Sequence, residues 1–150
     1  MSRLDDAVDR SELRALVDRY GVAADSRDRE RFGGVFTPDG VLDLGGFELT
    51  GRSVIPSILD YLDAHHPKTM HLMGNHDVAV DGDHATGTVY CRAHHLSVGA
   101  GGEATNTTMT IRYVDRYVRA DGQWLIEHRT INIEWEEEGP AFAEPRPPRS

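Results

Sequence analysis

The stretch Met70 to Val98, MHLMGNHDVAVDGDHATGTVYCRAHHLSV, decides the fold. Apolar and polar residues alternate along both of its halves, and Asp81-Gly82-Asp83 stands between them, so it reads as two strands joined by a tight turn. On the second half Ala85, Gly87, Val89, Cys91, Ala93 and His95 share one face; Thr86, Thr88, Tyr90, Arg92, His94 and Leu96 share the other. The period of two continues downstream. Thr105 to Arg119 predicts a third strand, turned at Asp121-Gly122, and Trp124 to Trp135 a fourth. Strands this long must twist and curve.

Upstream the period changes to three and four. Leu13, Leu16, Val17, Tyr20 and Ala24 form one apolar helical stripe, with Asp9 and Glu12 as a capping box at its start. Arg29 to Phe36 predicts a second, short helix, and Thr37-Pro38-Asp39-Gly40 a turn. Val41 to Leu44 and Phe47 to Leu49 read as short strands across Gly45-Gly46. Ser53 would cap a third helix, with Ile55, Ile58, Leu59 and Leu62 buried and Pro67 ending it. Helices first and long antiparallel strands after is the α+β order. The expected fold is a cone-shaped α+β barrel: N-terminal helices packed on a strongly curved, mostly antiparallel sheet enclosing one pocket. Residues 1–150 form one domain, with 1–10 a lead-in and 137–150 a Pro-rich tail, read as an extended arm or a frayed end.

The bulk numbers limit the function. A chain of 150 residues can bury a core of its own. A net charge of −9 repels phosphate backbones, so no nucleic-acid partner is expected. No apolar run is long enough to span a bilayer, and Met1 to Glu12 holds no signal-peptide core, so no membrane partner and a cytoplasmic location are expected. Cys91 is the single cysteine, which excludes an internal disulfide and a zinc ribbon. The eight histidines lack metal-site spacing, and no Gly-rich phosphate loop precedes a helix, so neither a metal nor another cofactor is expected.

Polar residues on apolar faces carry the chemistry. Arg129 shares a face with Leu125, Ile131 and Ile133; Asp115 shares one with Met109, Ile111, Tyr113 and Tyr117. Of His94 and His95 one faces inward and the other solvent. Asp25 follows the first helix's stripe, and His71 opens a strand among apolar neighbours. A carboxylate that accepts from one imidazole nitrogen fixes the tautomer and makes the other a general base. Tyr113, Met109, Cys91 and Val89 are candidate substrate contacts. Plainer roles stand beside these: Asp25 as a helix-ending cap, His71 as a satisfied core histidine, Tyr20 as part of the core, and Arg129 in a structural ion pair with Asp115 or Glu127.

The set Tyr20-x4-Asp25-x2-Asp28, Phe36-Thr37-Pro38-Asp39-Gly40, Gly51-Arg52, His71-Leu72-Met73-Gly74-Asn75, Val80-Asp81-Gly82-Asp83-His84-Ala85 and Tyr117-x3-Asp121-Gly122-x-Trp124 resembles the SnoaL-like family of the nuclear transport factor 2-like superfamily. The resemblance spans roughly Ser11 to Trp135. This family includes scytalone dehydratase, bile acid 7α-dehydratase and hexachlorocyclohexane dehydrochlorinase. The resemblance implies a cofactor-independent, dehydratase-like lyase acting on a small hydrophobic or polycyclic molecule. It implies catalytic roles for Asp25, His71, Tyr20, Arg129 and either His95 or His94, and a homodimer or homotrimer, with Thr86, Thr88, Tyr90 and Val114 available on outer faces. Ala24 and Tyr113 depart from scytalone dehydratase, which implies another substrate. An isomerase, polyketide cyclase or epoxide hydrolase in the same pocket, or a ligand-binding protein without turnover, are the alternatives.

Overall fold

A computed structural model describes residues 2–142. Helix α1 (Arg3–Asp25) is followed by α2 (Arg29–Gly34), strands β1 (Phe36–Asp43) and β2 (Glu48–Thr50), a 3-10 turn (Ile55–Ser57) and α3 (Ile58–His65). Strands β3 (Lys68–Asp81), β4 (His84–Val98), β5 (Ala104–Ala120) and β6 (Gln123–Ala141) complete the chain. The architecture is α+β, with one six-stranded sheet in the order β2-β1-β6-β5-β4-β3. Only β1 and β6 run parallel, and the outer strands β2 and β3 do not pair, so the sheet is a cupped, open one rather than a closed barrel.

The long strands follow the expected alternation, and β4 pairs with β5 without a break in register from His84↔Val118 to Val98↔Ala104. Three bulges, one in β3 and two in β6, then re-aim residues. One extra residue of β3 between Met73 and His76 lets His71 and Met73 face inward before it, and Val78 after it. An extra residue in β6, between Ile126 and His128, breaks the face predicted for Leu125: Trp124 and Ile126 are buried instead, with Arg129 beyond the bulge. A third lies between Ile133 and Trp135.

Several local expectations change. Helix α1 starts at Arg3, so the lead-in is helical; Ser2 is the N-cap and forms the capping box with Asp5. Asp9 is instead buried, accepting from Arg119 Nη1 at 2.8 Å and Trp124 Nε1 at 3.0 Å, a stronger use of a carboxylate than capping. Thr37-Pro38-Asp39-Gly40 lies inside β1 as an irregular bulge rather than a turn, because Phe36 pairs with Ile126 and Val41 with His128. Gly40 fits there since a Cβ would come within 3.1 Å of the Thr37 carbonyl oxygen. Ser53 caps nothing; α3 grows out of the 3-10 turn carrying Pro56. Residues 137–141 of the expected tail belong to β6, paired to β5 as far as Ala104↔Ala141, and the part beyond 142 lies outside the described residues.

The core sits between the helices and the cupped face. Leu13, Leu16, Val17 and Tyr20 of α1 meet Phe32, Phe36, Leu42, Leu59, Val89, Tyr113 and Ile126, all nearly or fully buried. Each such side chain contributes roughly 1.5–3 kcal/mol by leaving water. Helix α1 is also tied to β3 by arginines: Arg14 donates to the carbonyls of Met73 (2.9 Å) and Gly74 (2.5 Å), and Arg10 to that of Val78 (2.6 Å). These bonds satisfy carbonyls along an edge strand and at its bulge, which fixes the helix over the place where His71 emerges. Among the described residues no helix is long and apolar enough to cross a membrane.

Candidate active site

Asp25 is the last residue of α1. A helix end leaves carbonyls without partners, and here Arg27, at φ +57°, turns back over it. Its guanidinium donates to the Ala24 carbonyl (2.7 Å), the His66 carbonyl (2.7 Å) and Thr69 Oγ1 (2.8 Å), and pairs with Asp63 (2.9 Å). Thr69 in turn donates to Asp25 Oδ1 at 2.9 Å. One side chain thus joins α1, α3 and β3. No local pattern marks this role: Arg27 is one of the variable positions inside Tyr20-x4-Asp25-x2-Asp28, and its partners beyond α1 lie 36 to 42 residues away.

The Asp25 carboxylate reaches β3. Oδ2 accepts from the His71 amide at 2.8 Å, and Oδ1 lies 2.7 Å from His71 Nδ1. A carboxylate only accepts, so Nδ1 is the ring's donor to it, and in the neutral tautomer Nε2 is the bare nitrogen. Helix and strand come this close because α1 has Gly21 opposite His71: a Cβ there would lie 3.4 Å from His71 Cβ and 3.0 Å from Met73 Cε. Burial pushes the Asp25 carboxyl up, but hydrogen bonds from the His71 ring and amide and from Thr69 outweigh it and hold the group below the usual carboxylate range.

His71 opens on a cavity of about 200 Å³ on the concave side of the sheet. Its walls are apolar (Phe32, Leu42, Ile58, Leu62, Met109 and Ile131 among them), and its polar groups are the imidazoles of His66, His71 and His95 and the tyrosines Tyr20, Tyr61 and Tyr113. Asp25 does not line it, so the occupant meets the ring while the carboxylate stays behind. Of the residues singled out in the sequence, Tyr20, His71, His95, Tyr113 and Met109 line this cavity. Cys91 and Val89 are buried under the sheet's inner face and do not line it. Burial lifts the Tyr20 phenol to about 12, above the opposing pull of Arg129, so it is a neutral hydrogen-bond donor.

Arg129 is fully buried, yet it too stands behind the wall. Its Nε and Nη2 donate to Asp115 at 2.8 and 2.7 Å, and its guanidinium carbon lies 4.2 Å from the Tyr20 ring centroid and 4.3 Å from that of Tyr113. Nη1 has no partner among the described residues. Of the two pairings weighed for Arg129, Asp115 is the one formed; Glu127 pairs with Arg116. Tyr117 donates its hydroxyl to Asp115 at 2.5 Å and meets His76 Nε2 at 3.1 Å, extending the chain of polar contacts across the sheet.

His95 is the inward histidine, 5% exposed. His94 is half-buried rather than solvated, since Thr108 and Asn106 reach its Nδ1 at 3.0 and 3.2 Å. Burial, and then the nearby His71 and His66, press the His95 pKa down to about 4 against the pull of the Ala93 and Thr107 backbone groups. It is therefore neutral in the folded protein at pH 7. In the unfolded chain it takes up a proton near 6.5, so folding stability is fully present above that pH and declines as pH falls toward 4. The expected slope from this residue is up to about 1.4 kcal/mol per pH unit. Urea denaturation at pH 7, 6 and 5 should show it, and His95→Gln should flatten the decline; parallel slopes for the two proteins would contradict the assignment.

Two features lie apart from this site. A larger groove, about 460 Å³, crosses the outer face of the sheet between Leu72, Tyr90, Ile111 and Trp135, and no imidazole lines it. Among the described residues one trio could hold a metal ion: Asp43, Glu48 and His128, whose ligand atoms lie within 4.8 Å of one another on β1, β2 and β6.

An open, cupped sheet with helices over its hollow side and an apolar cavity between them defines a pocket-forming domain of the nuclear transport factor 2-like kind. The chain belongs to the SnoaL-like domain family, whose model matches residues 5–130. It is similar to the uncharacterized protein Rv2910c of Mycobacterium tuberculosis, 35% identical over 127 residues that cover 81% of this chain and 82% of the relative. Among solved structures it is similar to an NTF2-like protein with a cystatin-like fold from Novosphingobium aromaticivorans, at 27% identity and a TM-score of 0.69, covering 88% and 86% of the two chains. It shares its fold with a type 2 hexachlorocyclohexane dehydrochlorinase (LinA), at 19% identity and a TM-score of 0.81, with 98% of each chain covered.

Proposed function

We propose that the protein is a cofactor-independent lyase in which His71, held by Asp25, removes a proton next to a carbonyl of a small apolar substrate. The observation that carries this reading is the double grip of the Asp25 carboxylate on the His71 ring and amide, at 2.7 and 2.8 Å, with the ring's other edge on the cavity. His71 Nε2 takes the proton, the C–H electron pair forms the double bond, and the leaving group departs with the electrons of its own bond. For a hydroxyl, the proton returned from His71 makes it water and restores the base. Tyr20 donates to the carbonyl, and His95, whose Nδ1 hydrogen goes to the Ala93 carbonyl at 3.2 Å, accepts from the departing hydroxyl at Nε2. Arg129 acts through the tyrosine rings stacked on it rather than by contact, its charge strengthening the Tyr20 and Tyr113 hydroxyls as donors.

The cavity narrows the substrate. At interior packing density, 200 Å³ accommodates ~10–12 non-hydrogen atoms, which favours one or two rings over a larger polycycle. Epoxide hydrolysis is less well supported, because Arg129 is committed to one aspartate, Asp115, and among the described residues no second carboxylate is paired with it. Homo-oligomerisation through the outer sheet face, where Tyr90 and Val114 are exposed, is part of the same proposal. The test is to incubate the protein with one- and two-ring β-hydroxy ketones and follow the conjugated alkene by absorbance. Enone formation by the wild type is the expected result; a diol or a rearranged isomer as the product would overturn it.

A further inference from the structure

His66 is the C-cap of α3, and its ring lines the cavity and packs edge-on against His95, with centroids 5.0 Å apart. Three bonds set its position. Its amide donates to the Leu62 carbonyl at 2.7 Å, its carbonyl accepts from Arg27 at 2.7 Å, and its Nδ1 meets Ser97 Oγ of β4 at 3.0 Å. Ser97 has one hydrogen, and the His65 carbonyl lies 3.3 Å away as its acceptor. A carbonyl cannot donate, so the hydroxyl gives its hydrogen there and receives Nδ1–H of His66 on a lone pair. The nitrogen left for an occupant of the cavity is then Nε2, as an acceptor. The tyrosines of this wall can donate, and His71 Nε2 is engaged with the reacting carbon, so His66 adds an acceptor at the α3 end.

We infer that His66 is a specificity-determining residue and that the molecule bound here carries a hydroxyl donor received by His66 Nε2. This rests on the reading of the cavity as the substrate site. A ring of this size with a hydroxyl, a phenol or a cyclic alcohol, matches both the volume and the acceptor. A hydrogen bond made on the correct tautomer favours a donor over an isosteric acceptor by about three- to tenfold in affinity.

Phenol, anisole and toluene are the probes, titrated calorimetrically into wild type, His66→Phe and His71→Ala. The wild type and His71→Ala should bind phenol about three- to tenfold more tightly than anisole or toluene, and His66→Phe should not distinguish them. Equal binding of the three by the wild type, a preference for anisole, or a phenol preference that survives in His66→Phe would overturn the inference. If His66→Phe does not fold, 15N-resolved histidine spectra of the wild type decide it: a proton on Nδ1 of His66 is expected, and one on Nε2 contradicts it. The two readings fail separately. A phenol preference without any elimination would sink the lyase proposal alone; elimination without that preference would sink the role of His66 alone.

Discussion

Alanine at position 71 is expected to lower the rate of elimination about 10²–10⁴-fold, the usual contribution of a positioned general base, with the melting temperature little changed. The fold should tolerate the change because His71 takes its place from backbone pairing of β3 with β4, His71↔Ala93, and from a backbone N–H hydrogen bond to Asp25 that alanine keeps. Asp25→Asn should lose activity in the same range for a different reason. Asp25 accepts from three donors, the His71 ring, the His71 amide and Thr69, using both oxygens. An asparagine has one oxygen, so its amide group must face either the ring or the backbone N–H. In the first arrangement Nδ1–H has no acceptor, and in the second it is held by a neutral oxygen without the carboxylate's charge, so either way the loss should appear in kcat more than in KM. Equal turnover by wild type and His71→Ala, measured as alkene formation, would remove this chemistry.

The second large effect is on stability. Arg129 and Asp115 are both fully buried and joined by two hydrogen bonds, so Asp115→Ala strands a cation between two tyrosine rings. Removing one partner of such a pair costs about 3–5 kcal/mol, whereas replacing both by apolar residues of similar volume is often near neutral. Urea unfolding of Asp115→Ala should show that loss, and the double replacement Arg129→Met with Asp115→Leu should recover most of it. A single variant as stable as wild type would mean that the pair is not buried as described. Activity should not recover in the double variant, since the charge behind Tyr20 and Tyr113 would be gone.

Alternation along Ala85–Val98 and Thr105–Arg119 made the sheet legible, because β4 and β5 pair without interruption and each residue's face follows from its parity. Parity failed where bulges intervene. The one in β6 near Glu127 exchanges Leu125 for Ile126 on the buried face, and nothing in the local sequence announces an extra residue. The start of α1 was missed because Asp9 looks like a cap until Arg119 and Trp124, more than a hundred residues away, are brought to it. The closeness of Asp25 and His71 could be expected only through family resemblance, since residues 46 apart in the chain carry no spacing rule that joins them. Arg27 and His66 stayed invisible for the same reason: their roles arise from where α3 ends against β4 and β3, a tertiary fact.

The proton on His71 is the most direct point of attack. In 15N-resolved NMR spectra of the histidine side chains at pH 7, the wild type should show His71 protonated at Nδ1, with Nε2 bare, and Asp25→Ala should abolish that fixed state. A proton residing on Nε2, or a His71 signal indifferent to the loss of Asp25, would contradict the claim that this carboxylate makes the imidazole a base.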